Sequence, residues 1–197
     1  MKKNRAMIYN NFYQKYSAED CTDFWTRSFN DEIPIEILKK KALDECVQIK
    51  VQQILAKDNN LVKSIRYSDF IMDYEKEQQR RKKAYKSKQV IFGPVELTEL
   101  GYFNYVVSNM QIRLKNHLAA NQFKVSDEQL KNYYLQTSNN HSDKSEKSSV
   151  GEIPFKSIAR EFRSVYIDER YNALIDSLID NAKIVVNQQI YDSITSP

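Results

Sequence analysis

Between Val95 and Gln136 the apolar residues fall on a helical period. Phe103, Val107, Met110, Leu114 and Leu118 advance by four, three, four and four, which traces one face of a helix, while Asn104, Gln111, Lys115 and Asn116 lie elsewhere on the wheel. The spacing predicts a long helix ending near Asn121-Gln122. Ser126 then opens another, because its hydroxyl can accept from the backbone N–H of Gln129 while the Gln129 side chain reaches back. That second helix carries Leu130, Tyr133 and Tyr134. Together they make an arm with one apolar side that another element must cover.

The same periodicity organises the flanks. A first helix is expected from about Asn4 to Tyr16, with Met7, Ile8, Phe12 and Tyr16 on one side. Ser17-Ala18-Glu19-Asp20 reads as a cap and an acidic first turn leading into a short helix with Phe24, Trp25 and Phe29. Pro34 suits the first turn of the next helix, which runs to Lys57 with Leu38, Ala42, Leu43, Cys46, Val47, Val51, Ile54 and Leu55 as its buried stripe. Ser68 is expected to cap a helix through about Lys86, whose mixed charge run from Glu75 to Lys83 reads as a solvated face. After a polar run from Thr137 to Gly151, read as a loop, Pro154 opens a last long helix to about Ala182. Ile158, Phe162, Val165, Tyr166, Leu174, Ile175, Leu178 and Ile179 would form its buried side. Two short β-type runs, Val90-Ile91-Phe92 and Ile184-Val185-Val186, are expected to pair, since neither is stable alone.

Composition sharpens this. Only 3 glycines and 4 prolines in 197 residues would starve a β-sandwich of corners, so the fold class expected is all-α. The length suits a single helical domain over 1–197, with 1–30 read as an N-terminal helical extension of it. A formal charge of +4, from 30 basic and 26 acidic residues, is too small an excess for a nucleic-acid binder, and no nucleic-acid partner is expected. No run approaches the length of a membrane span, and the N-terminal basic residues lead into polar and aromatic ones rather than a signal core.

Chemistry is sparse. His117 and His141 have no Cys, Asp or Glu at metal-ligand spacing, so neither a metal nor a cofactor is expected. There is no phosphate-cradling glycine loop and no nucleophile elbow. Cys46 reads as a small core residue, and its pairing with Cys21 stays open for an extracytoplasmic protein. Among the 13 tyrosines, Tyr102, Tyr105, Tyr133 and Tyr134 gather on the central arm. With Met110 and the aromatic pair Phe24 and Trp25, they are the candidate peptide-binding residues, each also explicable as core.

Three stretches carry a family resemblance: Ala42-Leu43-Asp44-Glu45-Cys46-Val47-Gln48-Ile49-Lys50, the Ile91-Phe92-Gly93-Pro94 turn, and Lys124-Val125-Ser126-Asp127-Glu128-Gln129-Leu130-Lys131-Asn132-Tyr133-Tyr134. From about Ile33 onward the chain resembles the helical chaperone part of the SurA/PrsA-type extracytoplasmic foldases. The resemblance implies a SurA/trigger-factor-like peptide-binding architecture outside the cytoplasm, cradling unfolded or exported polypeptide in an apolar groove between helical arms. In that family a parvulin-type prolyl isomerase domain follows the double tyrosine. Here the same place holds only the 137–151 run with His141 in place of paired histidines, so isomerase activity is not expected. Membrane proximity would come only through a segment outside this chain. The rival reading keeps the scaffold and gives it one specific partner, or a homodimer.

Overall fold

A chain with so few turn residues has little choice but to run in long helices. The computed structural model describes residues 4–19, 21–140 and 155–195. Among them are seven α-helices and no strand beyond one isolated bridge, so the protein is all-α. The helices are α1 (Arg5–Tyr16), α2 (Pro34–Asp58), α3 (Tyr67–Lys86), α4 (Glu99–Asn121), α5 (Asp127–Asn140), α6 (Phe155–Asp180) and α7 (Gln188–Ser193). The chain divides into two compact units, Met1–Val51 with Ile179–Pro197, and Gln52–Leu178.

The first unit is built on aromatic packing. Ile8 and Phe12 of α1, Phe24 and Trp25, and Ile35 and Leu38 of α2 form its buried core. The Phe24 ring lies within 6.0 Å, centroid to centroid, of Tyr9, Phe12, Trp25 and Phe29. The expected helix over these residues is absent. Ser17 takes φ 52° and donates its N–H to the Tyr13 carbonyl, so it closes α1 instead of starting a new helix, and Phe24 and Trp25 sit in a hydrogen-bonded turn. Asp20 of the expected cap lies outside the described residues. Asn30 and Asp31 both adopt positive φ, 46° and 65°, which lets Phe29 and Glu32 bridge across a two-residue turn.

The stripe of α2 is also shifted from the expected one. Cys46 and Ile54 are exposed, whereas Gln52 and Ala56 are buried with Leu38. Gln52 can lie on the buried side because its carboxamide is satisfied by the Gln111 side chain. Cys21 and Cys46 are both free thiols.

In the second unit, α4 buries Val107, Met110, Leu114 and Leu118 of the predicted face, while Phe103 at its start is half-buried. It ends at Asn121, and the Ser126 hydroxyl accepts from Gln129 N at 3.1 Å while Gln129 Oε1 accepts from Ser126 N at 2.9 Å, the reciprocal cap expected. α6 runs beside α4. Lys115 Nζ meets Asp168 Oδ1 at 2.8 Å and sits over the Tyr171 ring, and Arg163 donates to the Val125 carbonyl beyond the end of α4. Tyr171 and Ile175 of α6 are buried. Val165 is exposed rather than buried, and the side chain of Ile158 lies outside the described residues. α5 extends through Asn140, so the polar run begins as helix, and 141–151 lies outside the described residues.

The two-stranded element, 90–92 with 184–186, does not form. The carbonyls of Phe92 and Pro94 accept instead from Arg81 Nη1, at 3.0 and 2.7 Å, and Gly93 turns the chain at φ 80°. A buried guanidinium with fixed geometry outcompetes a three-residue ladder that no third strand would support. Ile184, Val185 and Val186 run as exposed chain to Asn187, which caps α7 by accepting from Ile190 N. Ser68, expected as the cap of α3, sits one residue inside the helix; Arg66 holds the cap position and pairs with Asp69.

Candidate functional site

The start of α3 and the start of α4 together form an extended, solvent-facing aromatic surface. Tyr67, Phe70 and Tyr74 are spaced by three and four along α3 and so share one face. Thr98 caps α4, accepting from Gly101 N at 3.0 Å, and the first turns after that cap present Tyr102, Phe103 and Tyr105. The rings form a continuous run. Tyr67 stacks on Phe70 at 6.0 Å, Phe70 meets Tyr102 at 5.5 Å and Phe103 edge-on at 5.8 Å, and Tyr102 stacks on Tyr105 at 6.4 Å. Tyr74 adds a further contact to Tyr102 at 5.6 Å. The two ends are open to solvent, Tyr67 at 66% and Tyr105 at 60% exposure, with Leu100 and Met72 also exposed.

Polar contacts hold this surface in place. The Gln78 carboxamide grips the backbone of Leu97 from both sides, donating to its carbonyl at 2.7 Å and accepting from its N–H at 3.0 Å. Tyr74 donates to the same carbonyl at 2.8 Å, and Tyr67 donates to the Glu99 carboxylate at 2.9 Å. The segment entering α4 is thus tied along α3. The Glu99 hydrogen bond holds the Tyr67 hydroxyl above the usual tyrosine range. Tyr102 is raised as well, first by burial and then by the negative charges of Asp73 and Glu77. Arg80 pairs with Glu77 through its Nε and Nη2, at 2.6 and 2.7 Å. The site therefore offers apolar ring area and hydroxyls with local hydrogen bonds. Nothing in it is arranged as a nucleophile with a base, and no group of three or more His, Cys, Asp or Glu among the described residues could hold a metal.

Of the residues singled out from sequence, Tyr102 and Tyr105 lie in this run. Tyr133 and Tyr134 are half-buried on α5, packed edge-on against Tyr166 and Phe162 of α6 at 5.5 and 4.7 Å. Phe24, Trp25 and Met110 are buried side chains and offer no surface. Tyr67, Phe70, Tyr74 and Phe103 were not singled out, although the 67–70–74 spacing marks an aromatic helical face. No helix among the described residues is long and apolar enough to cross a membrane. Comparison with known proteins yields no match to a family model, a curated protein or a solved structure.

Proposed function

We propose that this chain is a non-catalytic, chaperone-like module that holds unfolded or exported polypeptide segments on the aromatic surface of α3 and α4. The observation that carries the reading is the ring run from Tyr67 through Phe70 and Tyr102 to Tyr105, packed in the middle and open at both ends. Stacked tyrosines offer broad apolar contact while their hydroxyls tolerate water, which suits loose recognition of many sequences better than shape-specific docking. The likeness of the Ile91-Phe92-Gly93-Pro94 turn and the Lys124–Tyr134 segment to the SurA/PrsA-type foldases points the same way, and with it to a peptide-binding helical architecture working outside the cytoplasm.

The test is suppression of aggregation of several unrelated denatured proteins. The intact chain suppresses aggregation, and Tyr67→Ser with Tyr105→Ser loses most of that effect while its melting temperature stays close to the parent's. Absence of suppression, together with capture of one tight partner, would assign the surface to a dedicated interaction instead. Turnover of a proline peptide would contradict the non-catalytic reading.

A further inference from the structure

The far end of α3 and the turn after it make a second surface. No acidic residue occurs between Glu77 and Glu96, while Arg80, Arg81, Lys82, Lys83, Lys86 and Lys88 all do. The fold divides these cations unequally. Arg80 and Arg81 both pair with Glu77, and Lys82 pairs with Glu96. Lys83, Lys86 and Lys88 are exposed and make no ion pair among the described residues. Close by in sequence, at the end of α3 and in the turn after it, are exposed side chains that water does not favour: Phe92 at 87% exposure, Val90 at 83% and Tyr85 at 65%. Ile91, between Val90 and Phe92, is partly buried, as alternation along an extended segment requires. Hydrogen bonds tie the turn to the helix: Arg81 Nη1 holds the Phe92 and Pro94 carbonyls, and Gln89 N bonds back to the Ala84 carbonyl at 2.9 Å.

From this we infer that the α3 tip is a docking surface for an anionic phospholipid membrane. Exposed Phe92 and Val90 would enter the headgroup boundary while Lys83, Lys86 and Lys88 face the lipid phosphates and carboxylates. A lipid surface fits better than a nucleic acid because the arginines that would grip phosphate bidentately are committed to Glu77. The inference does not depend on the polypeptide-binding reading. It also goes beyond the sequence reading, which put membrane proximity in a segment outside this chain.

The experiment is co-flotation of the full chain with phosphatidylcholine vesicles, with and without phosphatidylserine. The chain binds only the anionic vesicles, and Lys83→Gln with Lys86→Gln and Lys88→Gln weakens that binding on the order of 100-fold, since each lysine near such a surface contributes about fivefold. Phe92→Trp gives a blue-shifted emission on the anionic vesicles alone. All four positions are exposed, so circular dichroism shows the folded helix content retained in each variant. Equal binding to neutral vesicles, unchanged binding of the lysine variant, or no emission shift would overturn the inference. So would binding to a single-stranded oligonucleotide under conditions where vesicles are ignored.

Discussion

The side chains of Gln52 and Gln111, 59 residues apart in sequence, hydrogen-bond to each other at 2.7 Å between α2 and α4, with Gln52 almost wholly buried. A carboxamide in such a place is tolerable only while its partner is there. Gln52→Leu should therefore destabilise the protein by about 2 kcal/mol, because Gln111 loses its acceptor. Adding Gln111→Leu should recover a large part of the loss. Urea unfolding of the two single variants and the double variant measures this, and additive losses would mean that the pair is not coupled.

Tyr171 is the converse case. Its hydroxyl is buried without a hydrogen-bond partner, and burial pushes it up to about 12. A tyrosine hydroxyl ionises near 10 in an unfolded chain, so the folded state resists losing this proton. The stability tied to Tyr171 is thus fully present below about pH 10 and is lost as pH rises toward the folded value. Tyr171→Phe removes the cost of the unpartnered hydroxyl, leaving the neutral-pH melting temperature unchanged or raised by a few degrees, for a gain of about 1 kcal/mol. It also flattens the alkaline decline seen in melts of the parent.

In the first unit, Glu32 accepts from Lys15 Nζ at 2.8 Å and from the Tyr16 hydroxyl at 3.0 Å, and these two contacts hold its carboxyl below the usual range. Because the folded value is depressed, the associated stability is present above the unfolded value of about 4.3 and is lost as pH falls through the folded one. The pair is open to solvent, so the effect is small. Glu32→Gln should remove that part of the acid-side slope in a series of thermal melts, with little change at neutral pH.

Arg81 ties the tip of α3 to the turn behind it through Glu77, Phe92 and Pro94. Arg81→Ala leaves two carbonyls and a carboxylate without this donor and should cost about 2 kcal/mol. Its sharper signature is local: trypsin cleaves after Lys86 and Lys88 faster than in the parent, and amide exchange rises across 87–95. Arg81→Lys is not a rescue, because one ammonium cannot reproduce the guanidinium fork.

What the sequence made legible is what depends on near neighbours. The α4 stripe and the Ser126–Gln129 cap are set by residues three and four apart, and both are present in the structure. Distant partners decided the rest. Nothing near Gln52 announces Gln111, and nothing in Val90-Ile91-Phe92 announces that Arg81 takes the carbonyls a strand would use. Ser17 could have opened a helix or closed one, and only the Tyr13 carbonyl settled it. Part of the aromatic surface was visible as Tyr102 and Tyr105. The part on α3, Tyr67, Phe70 and Tyr74, becomes a surface only when Gln78 and Tyr74 bind Leu97 and draw α4 beside α3.

The central claim is that polypeptide clients are held on the Tyr67–Tyr105 ring run. Site-specific photo-cross-linking tests it most directly, with a benzophenone side chain placed at Tyr105 in one variant and at the equally exposed Ile112, further along α4, in another. The account predicts adducts to several denatured clients from position 105 and few from 112. Equal labelling at both positions, or none at 105, would contradict it.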